Sequence, residues 1–297
     1  SDLYMADNTI AGIACIPFLT ESSYIIKQAG LYQGAQPDAQ NTQAGEPAYE
    51  TYISAGDTDL DPATGDIVYT DLHTNKLRRI NTQGEEPVIE DITPAGQFTA
   101  IGEVEVIRRA EGPVYIVSDT AACTVSAVNA TGAEQTVFGR TVPAGGRTVI
   151  AGSGSDEPGP FFDSRPDIYP EVQDSLLPGI VPGSMAYGRI YNSGTETEHD
   201  VLYIVSPCEY PGSAVLKLTD DGMITSVMGG GYSREYDLEF WNILMGDRVS
   251  ITLDAEHHIL YGSDRDCHTI FMRPVDHTVM VSSVDEDPFR DYTDISY

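Results

Sequence analysis

Lysine is almost missing from this chain: Lys27, Lys76 and Lys217 are the only three in 297 residues, and the other thirteen basic residues are arginines. Against 16 basic residues stand 46 aspartates and glutamates, a formal charge of −30. A chain so poor in positive charge cannot bind a phosphate backbone by counterion release, which excludes nucleic acid as a partner. General attraction to anionic membrane surfaces is excluded on the same ground. Long apolar runs are missing too. Nothing approaches the roughly 18 residues of a membrane helix, so no membrane insertion is expected. The four cysteines (Cys15, Cys123, Cys208, Cys267) are too few for a disulfide-built scaffold. None sits in a Cys-x-x-Cys pair of the kind that holds structural zinc. Ser1 to Asp7 read as folded protein and not as a leader. With the acidic surface, the expectation is an extracellular or cell-surface protein, secreted, whose signal peptide is absent from this chain.

Apolar residues make up 41% of the chain, enough for a packed core and too many for a disordered one. What the sequence has in quantity is repetition. A short strand led by an aromatic residue recurs as Leu3–Asp7, Ile67–Asp71, Val114–Asp119, Leu202–Pro207 and Leu260–Asp264, and four of the five copies end in Asp. After each comes a polar turn and a second apolar strand: Gly12–Phe18, Lys76–Ile80, Thr124–Val128, Ala214–Leu218 and Thr269–Met272. A third follows in most copies, as in Gln135–Phe138, Met223–Met228 and Thr278–Val281. Four copies are also preceded by a strand and a tight turn, as in Asp57–Asp61 before Pro62-Ala63-Thr64-Gly65. Helical periodicity is lacking, and 28 Gly with 18 Pro punctuate the chain every few residues. Four short strands per unit describe a propeller blade. A β-sandwich also has short strands, but it does not place Tyr-x-x-Asp at one fixed point in each unit.

The fold expected is therefore an all-β propeller of five or six four-stranded blades, one domain over residues 1–297. The anchor tyrosines 4, 69, 115, 203 and 261 lie 65, 46, 88 and 58 residues apart. The long interval of 88 contains the strand Arg147–Gly152 and leaves room for a sixth blade. The first copy begins at the second strand of a blade, so the C-terminal stretch Asp291–Tyr297 is expected to supply the missing strand. Pairing of N- and C-terminal strands in one blade then closes the ring and removes two exposed sheet edges. Irregular insertions are expected at about 33–47 and 153–182, where long loops on a rigid scaffold offer binding surface.

The second unit runs Thr58-Asp59-Leu60-Asp61-Pro62-Ala63-Thr64-Gly65-Asp66-Ile67-Val68-Tyr69-Thr70-Asp71, then Asn75-Lys76-Leu77-Arg78-Arg79-Ile80. It resembles the blade of NHL-repeat and YWTD-like propellers. Leu3-Tyr4-Met5-Ala6-Asp7-Asn8 looks like the NHL step, and Ile150-Ala151-Gly152-Ser153-Gly154 is similar to that family's blade-closing segment. The resemblance implies a divergent member and a propeller fold. It does not single out a function, since such propellers include receptors, scaffolds, lactonases and lyases.

Asp7, Asp71, Asp119 and Asp264 fall on one face of such a ring and could together hold a calcium ion. A carboxylate copied into nearly every blade serves equally to cap its own turn, and that is the reading the repetition favours. No other cofactor is expected. Cys208 and Cys267 occupy related turns of successive blades and could form a disulfide, with Cys123 in a similar place earlier. Asn129-Ala130-Thr131 is a glycosylation sequon, which would make a secreted chain a glycoprotein at Asn129. The zinc-dependent amidating lyases of the NHL class need three His on one face, and only His73 and His268 are there. No nucleophile with its own base stands out. The sequence thus points to a non-enzymatic binding or structural propeller that recognises a protein or glycan, or self-associates into a surface structure or filament. The competing reading is a metal-dependent hydrolase with an axial carboxylate site, as the resemblance to SMP-30-type lactonases would imply.

Overall fold

The structure is a computed structural model that describes residues 3–7, 12–16, 26–30, 43–61, 63–156, 173–192, 197–207, 212–229 and 244–275. Among these residues every regular element is a strand. A first sheet joins β1 (Leu3–Asp7), β2 (Gly12–Ile16) and β3 (Ile26–Gly30). The next is a four-stranded meander of β4 (Ala55–Leu60), β5 (Ile67–Asp71), β6 (Lys76–Asn81) and β7 (Val88–Asp91). The third runs β8 (Ile101–Arg109), β9 (Gly112–Asp119) and β10 (Thr124–Asn129). A separate hairpin follows, β11 (Gln135–Val137) with β12 (Arg140–Val142), before β13 (Arg147–Ala151) returns to pair with β10. The fourth sheet adds the two-residue β14 (Gln173–Asp174) outside β15 (Met185–Asn192), β16 (Thr197–Ser206), β17 (Ala214–Thr219) and β18 (Met223–Gly229). The last holds β19 (Val249–Asp254), β20 (Ile259–Asp264) and β21 (Thr269–Pro274).

The sheets succeed one another as blades, each first strand lying against the first strand of the next: β4 on β8, β8 on β15, β15 on β19. The core lies between them. Val68 and Leu77 of one blade meet Val104, Tyr115 and Val117 of the next. Ile116 and Val125 meet Leu202, Leu216 and Leu218, and Tyr203 and Val215 meet Val249, Ile251 and Leu260. Burial on both faces explains why β5 and β10, with every residue buried, are apolar or small up to their terminal Asp71 and Asn129. Such strands read as continuous runs instead of alternating ones.

Two expectations need correcting. Four blades have described interiors, β4 to β21, in place of five or six. The surplus residues that suggested a sixth blade are taken up by the β11–β12 hairpin and by β13, which completes the third blade. Gln135–Phe138 is accordingly no third blade strand; its Gln135–Val137 pairs only with β12. Nor does the ring close. Among the described residues no pairing joins β1–β3 to β19–β21, and β1 lies against β4 instead. Asp291–Tyr297 and Thr278–Val281 lie outside the described residues. Part of the stretch expected to be irregular, 45–48, runs along β7 through Gly45 N to Ile89 O (2.7 Å) and Ala48 N to Pro87 O (2.8 Å).

The anchor tyrosines differ in what covers them. Tyr69, Tyr115 and Tyr203 are at most 1% exposed, Tyr69 against Ala29, Ala48 and Ile53, Tyr115 against the preceding blade and Tyr203 against the following one, whereas Tyr261 is 37% exposed beside Ile270 and Met272. Tyr261 pairs directly with Met272 across β20 and β21.

Candidate functional site

Of the four aspartates singled out by repetition, Asp71, Asp119 and Asp264 have described side chains, and each is bound to its own turn. The described residues contain no group of three or more His, Cys, Asp or Glu placed to hold a metal ion. Asp71 Oδ1 accepts the His73 amide at 3.0 Å, and Oδ2 accepts the Thr74 hydroxyl at 2.9 Å. Asp119 accepts the amides of Ala122 (3.1 Å), Thr99 (2.8 Å) and Ala100 (3.0 Å). Asp264 accepts those of Asp266, Cys267 (both 3.0 Å) and Gly246 (2.8 Å). Each carboxylate therefore folds its own turn, and Asp119 and Asp264 also tie it to the segment leading into the blade. The turn needs a left-handed residue four places on, supplied by Asn75 (φ 51°), Cys123 (φ 49°) and His268 (φ 55°). The side chain of Asp7 lies outside the described residues.

Cys208 also lies outside them, and the Cys267 thiol approaches Leu244 O at 3.8 Å. Cys123 sits one place later in its turn than Cys267, with its thiol toward Thr120 O. Asn129 is fully buried. Its Nδ2 donates to Ala133 O (2.7 Å), Pro143 O (3.2 Å) and Val142 O (3.3 Å), so a glycan on that nitrogen would displace three hydrogen bonds of the folded chain.

Two features of the structure were not legible in the motifs. The first is a polar cleft of about 330 Å³ between the second and third sheets. One wall is Arg79 and Glu90, paired at 2.6–2.7 Å, with Asn81 Nδ2 donating to Glu90 at 2.8 Å. The Asn81 amide, and Arg79 after it, hold the Glu90 carboxyl below its usual range. Asp91 stands beside them, shared between Lys76 and Arg78. Tyr115 and Val128 lie beneath, and the opposite wall is backbone at Gly145 and Gly146. Next to Gly146, Arg147 stacks over Phe98 with its guanidinium 4.4 Å from the ring centroid and is hydrogen-bonded to Gln97 O. The cleft thus presents a guanidinium and two carboxylates to whatever enters, while the Gly145 and Gly146 amides are spent on Thr131 O and Pro143 O.

The second feature lies on the inner strands. Gly56-Asp57-Thr58-Asp59 on β4 recurs as Gly102-Glu103-Val104-Glu105 on β8. Asp57 accepts the Val104 amide at 2.9 Å and Asp59 the Val106 amide at 2.6 Å, across the blade boundary. Glu103 and Glu105 stand toward the backbone amides of Met185 and Tyr187 one blade further on. Ser184 Oγ continues the series by accepting the Ile251 amide at 3.1 Å. The glycine matters because a Cβ at Gly56 or Gly102 would fall 2.6 Å from Leu72 or Ser118. Desolvation raises the pKa of all four carboxyls, that of Glu103 up to about 8, and the neighbouring carboxylates add to it.

On the rim, Thr197 Oγ1, His199 and Asp220 form a hydroxyl–imidazole–carboxylate chain at 2.7 and 2.8 Å. Thr197 and His199 are two apart on one strand face, and the chain stands open to water.

No known family profile and no curated protein matches this chain. Solved structures do. A structural-genomics protein of unknown function from Bacteroides thetaiotaomicron VPI-5482 is 13% identical with a TM-score of 0.50, covering 88% of this chain and 56% of its own. A second protein of that organism, provisionally described as a phosphatase, is 12% identical with a TM-score of 0.52, covering 90% and 55%. Virginiamycin B lyase from Staphylococcus aureus is 13% identical with a TM-score of 0.40, covering 92% and 66%. The chain spans just over half the length of the first two. At these identities the likeness is one of fold: an all-β, propeller-like protein.

Proposed function

We propose that this chain is a non-enzymatic, extracellular binding propeller whose cleft between the second and third sheets takes a neutral glycan. The observation that carries the reading is the wall of Arg79, Glu90 and Asp91 facing Gly145 and Gly146, which have no side chain to fill the space. A guanidinium donates to sugar oxygens, and carboxylates accept from vicinal hydroxyls. About 330 Å³ suits one or two sugar rings. The charge of −30 disfavours anionic saccharides by repulsion. The turn-capping roles of Asp71, Asp119 and Asp264 direct these carboxylates to folding and away from a lactonase-like metal centre.

Titration calorimetry against a panel of neutral oligosaccharides tests this. Arg79→Ala and Glu90→Gln are each expected to weaken a bound sugar about tenfold or more, the loss of one to two charge-assisted hydrogen bonds. Wild-type protein that binds no neutral saccharide at millimolar concentration would sink the reading. So would variants that bind as tightly as wild type.

A further inference from the structure

We propose that β4, β8 and β15 form a proton-held latch. While protons reside on the cluster Asp57, Asp59, Glu103 and Glu105, the three inner strands are cinched together, and loss of those protons in mildly alkaline solution loosens the blade junctions. The inference is independent of the glycan cleft and concerns other residues.

The geometry comes first. The four carboxyls lie at the junctions between blades: Asp57 and Asp59 accept the Val104 and Val106 amides, and Glu103 and Glu105 stand toward the amides of Met185 and Tyr187. They stand near one another: Asp57 faces Glu103, and Asp57 and Asp59 face Glu105. No ion pair is described for any of them. Among the described residues, the charged groups on the packed elements are occupied elsewhere, have the wrong sign or, like Arg108, stand exposed at a strand end. From β5, Asp71 is tied to Arg78; from β9, Asp119 caps its turn. At the far ends of β8 and β15, Arg109 and Arg189 both close on Asp200, which also accepts the Tyr187 hydroxyl at 2.8 Å. Arg108 is exposed at the end of β8. Asp61 adds negative charge to Asp59, β19 brings only Asp254, which faces His257, and β1 brings Asp7 and Tyr4. Four carboxyls half-withdrawn from water, with no ion-pair partner among the described residues, cannot all be ionised cheaply. A neutral carboxyl still accepts the cross-blade amide through its carbonyl oxygen. A fully ionised set accepts it while repelling its neighbours across the junction.

The direction of the pH effect follows. A carboxyl with a higher pKa folded than unfolded binds more protons in the native state, so stability falls as pH rises. For Glu103 the penalty is absent below its ordinary value of 4.5 and complete above about 8. This is the reverse of the usual salt-bridged carboxylate, which loses stability in acid.

Urea unfolding midpoints between pH 5 and pH 9 read the effect. The wild-type unfolding constant is expected to rise at least about tenfold between pH 6 and pH 9, one unit of pKa displacement being a factor of ten. Glu103→Gln and Glu105→Gln, each neutral at every pH, are expected to flatten that rise, while Glu134→Gln on an exposed loop leaves it intact. Should the glutamine variants fail to fold, a difference titration of native against urea-unfolded wild type decides. The native protein should hold at least one extra proton near pH 7. A flat wild-type profile, an unchanged slope in both glutamine variants, or equal proton counts in the two states would each overturn the latch.

Discussion

Replacing Asp71 by alanine is expected to lower the unfolding free energy by about 3–5 kcal/mol, the cost of breaking a buried ion pair from one side. Arg78 and Asp71 are both 1% exposed at the side chain and meet at 2.8 Å. Removing the carboxylate leaves the guanidinium in the core of its blade with Asp91, itself 26% exposed, as its charged partner at 2.8 Å. The same change uncaps the turn into β6 by freeing the His73 amide and the Thr74 hydroxyl. The double variant Asp71→Ala/Arg78→Met should recover a large part of the loss, since an apolar side chain of similar volume needs no counter-charge. Urea denaturation of the three proteins provides the test. An Asp71→Ala midpoint equal to wild type would mean that this pair does not hold the second blade together.

Gly152→Ala is the second large effect, expected at roughly 2–4 kcal/mol from backbone strain and overpacking together. Gly152 follows β13 with φ at 82°, and a Cβ there would lie 2.2 Å from Cys123 O. Gly229, at the end of β18, repeats the arrangement with φ at 79° and Ser213 O at 2.4 Å. In both blades the outer strand ends tucked beneath the carbonyl that opens the next inner one. Backbone atoms cannot swing aside as a side chain can, so the outer strand must lift. A thermal melt compares Gly152→Ala with Gly132→Ala, where a Cβ meets open space. Equal midpoints would remove the closing role from Gly152.

The parts of the fold legible in the sequence are those repeated in every unit. A tyrosine followed two to four residues later by Asp recurs, as Tyr69 with Asp71, Tyr115 with Asp119 and Tyr261 with Asp264, because the strand supplies an aromatic residue and then a carboxylate to fold the following turn. Pairing partners were less legible. Gln135–Phe138 has the apolar alternation of a blade strand, but strand propensity does not say which edge a strand will join, and five residues on it meets Arg140–Val142 instead of β10. The second blade's cleft could not be read at all, because Glu90, Tyr115 and Gly145 come together only through the packing of two sheets. The inner-strand carboxylates did leave a signal, Gly-Asp-Thr-Asp against Gly-Glu-Val-Glu. It is carried by two blades alone; the next copy, Gly183-Ser184-Met185-Ala186, keeps the glycine and one acceptor and loses both charges.

The exposed ring of Tyr261 has a consequence for how the molecule behaves among its own kind. With Ile270 at 84% and Met272 at 39% exposure it makes a sticky facet on a particle that otherwise repels its copies through a charge of −30. Adhesion of this sort acts over contact distance, whereas the repulsion reaches about 10 Å in 0.1 M salt and only about 3 Å at 1 M. In colloid terms, the barrier to sticking is written in carboxylates and its height is set by the ionic strength of the surroundings. Brine, more than heat, would decide whether such particles stay dispersed.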